Sequence, residues 1–275
     1  MDSRTPIITL TTDFGYTDPF VGIMKGAILC VTPNLHIVDL NHGIPPQDIR
    51  AAALTLAASV RYFPQGTIHV AVVDPGVGSE RRPIVIHSAG HYFVGPDNGV
   101  FSFAVKDKEL PRIVNLSNES YHLQPKSQTF HGRDVFAPVA AHLARGVPLA
   151  EFGSPSKDWL CLPWPEVERA GEFIVGEVIH IDRFGNLFTN IRERDLTGVA
   201  KQNIRFHLNE IKIQGLAQSY TAGDKDSYIA LINSCGLIEI ASYNDNAAHR
   251  SEAKIGDKVR VELLTGQVSQ RSEQF

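Results

Sequence analysis

The stretch IITLTTDFGYTDPFVGIMKGAILCV, residues 7–31, decides the class of fold. Residues 7–12 are all apolar or β-branched, which predicts a buried strand. Pro19 then opens a run of helical periodicity that extends to about Val31, and proline suits the first turn of a helix. A strand that leads directly into a helix is the repeating unit of an α/β fold.

The same alternation of strand and helix continues to about residue 150. Residues 35–40 and 67–73 are predicted strands, and between them residues 48–63 carry apolar side chains on one helical face. Further strands are predicted at residues 84–87, 91–94, 99–105 and 113–116, and a last amphipathic helix at 133–145. We therefore expect an α/β domain whose mostly parallel sheet is covered by helices.

The rest of the chain predicts a different architecture. Residues 146–171 are too rich in proline and glycine for regular structure and indicate an interdomain connection. Beyond them, β-rich runs follow one another without comparable helices, at residues 172–181, 204–208, 228–232, 237–241 and 258–264. This pattern predicts a smaller antiparallel β-barrel. The expected boundaries are 1–155 for the α/β domain, 156–170 for a linker and 171–275 for the barrel.

Composition limits the classes of protein to consider. The 275 residues include 26 Lys and Arg against 30 Asp and Glu, a net charge of −4 that disfavours a general nucleic-acid binder. The three cysteines show no C-x-x-C spacing, which favours reduced thiols over a disulfide framework or a zinc site. Without a signal peptide or a run of about 18 apolar residues, we expect a cytoplasmic protein that does not span a membrane.

Polar, glycine-containing loops follow the predicted strands. They are TTDFGYTD (residues 11–18), VVDPGVGSERR (72–82) and TFHGRD (129–134). Ligands of open α/β sheets bind beyond the carboxyl ends of the strands, and glycine lets a ligand approach the backbone closely. These three loops are therefore the candidate site.

Each loop also has a purely structural interpretation. Asp13 and Asp74 are good turn formers, Asp134 suits the first turn of a helix, and the two adjacent arginines could be solvated surface charges. Walker, G-x-G-x-x-G, G-x-S-x-G and H-E-x-x-H motifs are missing from the sequence. A divalent cation held by Asp13, Asp18, Asp74 and Asp134 stays open, and with it a metal-dependent phosphoester hydrolase.

Five longer motifs carry a resemblance to a known family. They are TLTTDFGYTDPFVGIMKGAI (residues 9–28), VVDPGVGSERRPIVI (72–86), GPDNGVFS (95–102), TFHGRDVFAPVAAHLARG (129–146) and IDRFGNLFTNI (181–191). In these motifs the chain resembles the S-adenosyl-L-methionine (SAM) hydroxide adenosyltransferases, also called SAM hydrolases, which are related to the fluorinases and chlorinases. The resemblance runs from about Ile7 to Leu264.

The resemblance implies both an architecture and a reaction. The architecture is an N-terminal α/β domain and a C-terminal β-barrel in a homotrimer, with active sites between neighbouring subunits. The reaction is SAM plus water giving adenosine and L-methionine, with SAM as substrate and no cofactor or metal. A binding module that holds SAM or adenosine without turnover is the alternative outside enzymes.

The family's catalytic Asp-Arg-His set falls on Asp74, Arg81 and His131. Arg81 is expected to favour hydroxide character in the attacking water, while Asp74 and His131 accept hydrogen bonds from that water. The halogenating relatives lack this set and usually carry an extra loop where this chain runs straight from Ile86 to Tyr92. The resemblance therefore favours hydrolysis over halogenation.

Substrate contacts are also implied by the resemblance. Asp13 corresponds to the ribose-binding aspartate, and the segment 184–186 corresponds to the adenine-contacting FGN. Ser234 and Glu239 correspond to positions near the methionine part. The full expected set of binding residues is Asp13, Asp18, Asp74, Phe184, Asn186, Ser234 and Glu239. Cys235 departs from the halogenating relatives, which carry arginine there.

Overall fold

The computed structural model describes residues 5–105, 110–224 and 227–264. The chain divides into two compact units, Met1–Pro163 and Trp164–Phe275. The last eleven residues of the expected barrel domain, 265–275, lie outside the described residues. Among the described helices, none combines the length and the apolar character needed to cross a membrane.

The first unit is an α/β structure. Its strands are β1 (Ile7–Thr12), β2 (His36–Asn41), β3 (Ile68–Val72), β4 (Pro83–Ser88), β5 (His91–Pro96), β6 (Arg112–Asn115) and β7 (Pro155–Ser156). Its α-helices are α1 (Phe20–Val31), α2 (Ile49–Ser59) and α3 (Ala137–Ala144). The α/β expectation is confirmed, and the predicted first strand has the bounds of β1.

The sheet of this unit is mixed, with strand order β2-β1-β3-β5-β4-β6-β7. Strands β2, β1, β3 and β5 are parallel to one another, whereas the pairs β5–β4, β4–β6 and β6–β7 are antiparallel. Alternate residues of β3 face opposite sides: Val70 packs with α1 and α3, and Ala71 packs with α2. Helices thus cover both faces of the sheet, as a largely parallel sheet requires.

The register of the parallel strands brings the candidate loops to one edge. Thr12 at the end of β1 lies opposite Val72 at the end of β3, and Thr11 lies opposite Asn41 of β2. Asp13 and Asp74 therefore leave the sheet at the same edge. This is the edge at which α/β proteins bind ligands.

One predicted strand is wrong. Residues 99–105 form successive turns, in which Ser102 N donates to Gly99 O over 3.1 Å and Val105 N donates to Phe101 O over 3.1 Å. Val100, Phe101 and Val105 are all buried. In a strand with one buried face, adjacent side chains point to opposite sides, so only one of the two is buried. Here the chain turns instead, and the adjacent residues Val100 and Phe101 both reach the core.

The last predicted helix begins differently from expectation. Residues Gly132–Phe136 form a π-helical turn, and only then does α3 begin at Ala137. π-Helical turns are rare in proteins, and those that occur often lie at functional sites. This one directly follows His131, whose backbone caps the turn.

The second unit is an antiparallel β structure. Its strands are β8 (Glu168–Ala170), β9 (Phe173–Ile181), β10 (Leu187–Arg192), β11 (Ile204–Leu208), β12 (Ile211–Gln214), β13 (Tyr228–Ile232), β14 (Leu237–Ser242) and β15 (Lys258–Leu263), with a short helix α4 (Ala247–Ser251). Their order is β12-β11-β15-β9-β10-β14-β13, and β8 pairs with β9. Ala217 N donates to Ala230 O over 2.7 Å near the two ends of this order, so the expected barrel is nearly closed.

Four of these elements were not predicted. β10 was missed because its sequence LFTNIR mixes polar and apolar residues without a clear period, and β12 because its alternating sequence IKIQ is only four residues long. β8 lies inside the segment 156–170 that was expected to be a linker, where it pairs with β9. Helix α4 has only 5 residues and begins directly after Asn246, whose side chain caps it.

Candidate active site

The loop after β3 folds back so that Arg81 meets Asp74. A turn closes with Val77 N donating to Asp74 O over 3.2 Å, and a second with Ser79 N donating to Gly76 O over 3.1 Å. Arg81 then donates from Nε to Asp74 Oδ1 over 3.0 Å and from Nη2 to Asp74 Oδ2. This bidentate pair is largely shielded, with side-chain exposures of 10% and 5%. Such pairs fix both direction and charge.

His131 joins the pair through the same guanidinium. Nη2 of Arg81 lies 2.8 Å from Nδ1 of His131. Because arginine can only donate, Nδ1 must be the unprotonated acceptor, and the neutral ring carries its proton on Nε2. Burial, followed by the positive charge of Arg81, lowers the pKa of His131 and favours this neutral form.

This tautomer changes the role expected for the histidine. Nδ1 is occupied by Arg81, and Nε2–H is a hydrogen-bond donor. The neutral His131 can therefore donate a hydrogen bond but not accept one from a bound water, so the expected acceptor role is wrong for this arrangement. Asp74 keeps carboxylate lone pairs beyond the two that Arg81 uses, and it remains an acceptor.

A glycine makes the approach of the two loops possible. Gly78 has φ +76°, and a β-carbon at this position would lie 2.5 Å from the carbonyl oxygen of Gln128. Only glycine permits both this backbone conformation and this approach. The close packing of Gly78 on Gln128 holds the Asp74–Arg81 loop against the loop that leads to His131.

A cavity of about 440 Å³ lies beside these residues. Its lining includes Asp13, Asp74 and His131, together with the aromatic rings of Phe14, Phe20 and Phe130. Small-molecule sites commonly have volumes of about 300–1,000 Å³ and combine apolar walls with a few polar groups. The cavity thus has the size and the lining of a small-molecule site.

Asp13 is held in place at this cavity by the backbone of the next loop. Its Oδ2 accepts a hydrogen bond from Gln47 N over 2.8 Å. Gln47 itself has φ 66°, so the chain turns sharply where it meets the carboxylate. One carboxylate oxygen is therefore anchored by the protein, which restricts the directions in which the other can bind a ligand.

Two other predicted aspartates do not join the cluster. Asp18 is exposed and is not among the residues that line the cavity. Asp134 is buried, and it accepts hydrogen bonds from Ser127 N over 2.8 Å and from Arg133 Nε over 2.5 Å. Arg133 and Ser127 lower the pKa of Asp134 against the opposing effect of burial. Its role in the fold is structural.

The same observations bear on the metal alternative. Within the described parts of the chain, no three His, Cys, Asp or Glu side chains are grouped so as to hold a metal ion. Asp74 and Asp134 each pair with an arginine. The four aspartates therefore do not come together as one set of ligands, and Asp13 and Asp74 are the two of them that line the cavity.

In the second unit, Asp182 organises the turn between β9 and β10. Its Oδ1 accepts from Phe184 N over 2.8 Å and from Asn186 N over 2.9 Å, and its Oδ2 accepts from Asn186 Nδ2 over 3.0 Å. Gly185 has φ +85° and packs against Asn246. As a result Phe184 projects outward, with 75% of its surface exposed.

Glu239 and Ser234 are the two residues expected near the methionine part. Glu239 is opposite Phe188 in the pairing of β14 with β10, close to the start of β10. Ser234 belongs to the hairpin between β13 and β14, which meets the other end of β10, where Glu193 N donates to Gly236 O over 3.0 Å. Within this unit the structure groups Phe184, Asn186 and Glu239, and Asn233, which directly precedes Ser234, also lies near the Glu239 carboxylate.

Glu239 is a buried carboxyl group with one strong partner. It is 1% exposed, and its Oε1 accepts a hydrogen bond from Tyr220 OH over 2.7 Å. Burial raises the pKa of Glu239, and the hydrogen bond from Tyr220 and the nearby amide of Asn233 oppose this shift. Burial and the bond to Glu239 also raise the pKa of the Tyr220 hydroxyl.

Sequence reasoning missed several residues at these two places. The three phenylalanines of the cavity contact one another edge to face or tilted, with ring centroids 5.3–5.9 Å apart. Phe14 directly follows Asp13 and Phe130 directly precedes His131 in the quoted motifs, so an aromatic next to a candidate polar residue was the available signal for these two. Asp182 had a signal too, since an aspartate before a glycine often closes a turn with its side chain. Tyr220 had none.

Comparison with known proteins gives a consistent result. The family model for the SAM hydroxide adenosyltransferase N-terminal domain matches residues 8–153, and the model for the C-terminal domain matches residues 176–260. An (R)-S-adenosyl-L-methionine hydrolase of Methanocaldococcus jannaschii is 37% identical, covering 94% of this chain and 97% of that protein. A fluorinase of Nocardia brasiliensis is 28% identical, covering 95% and 98% respectively.

A solved structure supports the same relationship. The crystal structure of an uncharacterized conserved protein from Thermotoga maritima aligns with a TM-score of 0.85 and 32% identity, over 92% of this chain and 99% of that chain. The fold and the site define a two-unit α/β and β-barrel protein with a small-molecule cavity. The chain belongs to the SAM hydroxide adenosyltransferase family.

Proposed function

We propose that this protein is an enzyme that hydrolyses SAM to adenosine and L-methionine. The observation that carries the proposal is the hydrogen-bonded trio of Asp74, Arg81 and His131 beside the cavity. The family membership and the relatives named SAM hydrolase support it. An Asp-Arg-His trio of this kind orients a water molecule rather than supplying a nucleophilic side chain.

The chemistry of SAM fits such a site. Attack of water on the ribose C5′ forms a C–O bond, breaks the C–S bond and releases methionine as a neutral thioether, so the leaving group needs no acid. The water loses one proton, and Asp74 is the acceptor that the trio offers. Arg81 holds Asp74 and His131 in place, and the N–H of His131 supplies a donor to the site. Fixing the water in line with the C–S bond is the main contribution of the protein.

The hairpin between β4 and β5 supports water over halide as the nucleophile. Ser88 pairs directly with His91, which leaves a two-residue turn at Ala89 and Gly90 with φ values of 49° and 79°. Two positive φ values are the signature of a tight type I′ turn. The extra loop of the halogenating relatives has no counterpart at this place.

We further propose that Asp13 binds the ribose hydroxyls, because its carboxylate faces the cavity with one oxygen anchored by Gln47. Phe184 and Asn186 would contact adenine, and Glu239 the methionine part, as the resemblance implies. These residues belong to the second unit. A homotrimer in which neighbouring subunits complete each site is part of the same proposal.

Two further proposals concern cofactors and the location of the protein in the cell. We propose that the reaction requires neither metal nor cofactor, and that the protein works in the cytoplasm. The test for metal is direct, because chelator treatment abolishes a metal-dependent activity and leaves this one unchanged.

The decisive experiment is incubation of the pure protein with SAM in water enriched in heavy oxygen. We expect chromatography and mass spectrometry to show methionine and adenosine with the label at the 5′-hydroxyl. Separated sulfonium epimers should be used, because the name of the M. jannaschii relative specifies the (R) form. A 5′-halo-adenosine as main product in chloride or fluoride, or SAM recovered intact, would contradict the proposal.

A mixing experiment tests the shared site. Asp13→Ala and Asn186→Ala should each inactivate the protein, but a mixture of the two variants after subunit exchange should regain activity. A mixed assembly contains an interface in which both residues are intact. If confirmed exchange restores no activity, the site is complete within one chain.

A further inference from the structure

A buried histidine links the loop that carries Asp13 to a surface ion pair. Thr12 Oγ1 and His42 Nδ1 are 2.8 Å apart, and both residues are buried. Nε2 of His42 lies 3.2 Å from Asp39 Oδ1. Asp39 Oδ2 in turn accepts a hydrogen bond from Lys25 Nζ over 2.6 Å. The side chains thus form a continuous series of close contacts from the surface to Thr12, in which Nε2 of His42 approaches Asp39 without a well-formed hydrogen bond.

Two contacts converge on Thr12 Oγ1. Phe14 N donates to Thr12 Oγ1 over 3.2 Å, so this oxygen already serves as an acceptor. A hydroxyl oxygen can accept two hydrogen bonds, so Thr12 can either donate its hydrogen to Nδ1 of His42 or accept one from it. When Thr12 donates, the proton of a neutral His42 ring is on Nε2 and faces Asp39. Thr12 is 0% exposed, which excludes it as a nucleophile despite the likeness to a hydroxyl-His-Asp arrangement.

His42 contacts the chain on both sides of Asp13. Its side chain holds Thr12, and its backbone carbonyl accepts a hydrogen bond from Gly15 N over 2.8 Å. The loop after His42 also supplies Gln47 N to the Asp13 carboxylate. The His42 side chain therefore supports the Asp13 segment at Thr12, while backbone groups hold Gly15 and the Asp13 carboxylate.

We propose that His42 is a positioning residue that, through Thr12, aims the Asp13 carboxylate at the two hydroxyls of a ribose. This inference rests on the proposed function, because it takes Asp13 as the ribose ligand. A carboxylate receives two neighbouring hydroxyls only when its orientation is fixed. The affinity gained from the ribose hydroxyls therefore depends on His42, although His42 touches no substrate.

The same strand contains a matched pair that lacks this role. Thr9 Oγ1 and His69 Nδ1 are also 2.8 Å apart, and both residues are 0% exposed. The other ring nitrogen of His69 faces His91 Nδ1 at 3.3 Å rather than a carboxylate. Neither Thr9 nor His69 contacts the loop of Asp13, so this pair serves as an internal control.

The experiment measures affinity for adenosine and for 2′,3′-dideoxyadenosine by calorimetry. We expect the wild type to bind adenosine at least about tenfold more tightly than the dideoxy compound, because hydrogen bonds to a charged group are strong. In His42→Phe this preference should fall toward unity, while His42→Gln, which retains a donor and an acceptor, should recover part of it. His69→Phe should keep the full preference.

A second pair of variants guards against misfolding. Thr12→Val and Thr9→Val are nearly isosteric, and only Thr12→Val should lose the preference for adenosine. If the wild type prefers adenosine and both His42→Phe and Thr12→Val retain that preference, the positioning role is wrong while the proposed function stands. If the wild type shows no preference for the ribose hydroxyls, the role of Asp13 fails, and the inference with it.

Discussion

One nitrogen of Arg81 bonds two partners at once: Nη2 donates to Asp74 and lies 2.8 Å from Nδ1 of His131. The three side chains come from two separate loops, and this nitrogen is the point at which they meet. Because a guanidinium never accepts, the contact determines the protonation state of the histidine as well as its position. The trio is therefore a directed chain of donors and acceptors.

The first prediction concerns this tautomer. Nitrogen NMR of histidine-labelled protein, with His131 assigned from the His131→Gln variant, should show the proton on Nε2 at neutral pH. Lowering the pH should protonate Nδ1 only below the ordinary histidine pKa of 6.5, because burial and Arg81 lower the pKa of His131. Detection of the Nδ1–H tautomer would show that Arg81 does not donate to the ring.

The second prediction separates chemistry from binding. Arg81→Lys keeps the charge but loses the bidentate fork, and His131→Ala removes the donor, so both should slow single turnover at least ~100-fold. SAM affinity by calorimetry should change little, whereas Asp13→Ala should weaken it. Arg82→Lys is the matched control: Arg82 pairs with Asp97 instead, and its rate should stay at the wild-type value. Loss of binding with an unchanged chemical step would refute these roles.

The third prediction tests the contact that joins the loops. Gly78→Ala adds a β-carbon 2.5 Å from Gln128 O at φ +76°, so it should lower both the free energy of unfolding and the turnover. Gly66→Ala also has a positive φ of +89°, but nothing lies within 4 Å of its added carbon. It should cost about 1 kcal/mol of stability from backbone strain alone and leave turnover intact. Equal activity losses in the two variants would argue against a specific role for the Gly78 contact.

The fourth prediction concerns stability in acid. Burial, aided by nearby His91, lowers the pKa of His69 from 6.5 to about 3. Below pH 6.5 the unfolded chain binds a proton that the folded chain does not, so stability is full above pH 6.5 and falls until about pH 3. The slope for one such group approaches roughly 1.4 kcal/mol per pH unit. Urea unfolding at pH 7 and pH 5 should show a smaller loss for His69→Gln than for the wild type.

Much of the fold was accessible from local sequence patterns. The strand over residues 7–12 was predicted with the bounds of β1, and those over residues 204–208 and 228–232 with the bounds of β11 and β13. β1 and β13 are dominated by apolar and β-branched residues, and β11 alternates apolar with polar residues, so each indicates its burial through its own sequence. The turns over residues 99–105 and strand β10 were not predicted, because neighbours elsewhere in the sequence decide their burial.

The sequence by itself determined which residue types meet at the site, since the motifs around Asp74, Arg81 and His131 identify the family. Only the tertiary structure decided what each of them can do. Thr9 and Thr12 look equivalent in the sequence, yet one bonds a histidine in the core and the other a histidine beside Asp13. Likewise, the acceptor role expected for His131 gives way to a donor role once Arg81 is seen to face Nδ1. Hydrogen-bond direction depends on which donors and acceptors lie within about 3 Å in space, and spacing along the chain does not encode it.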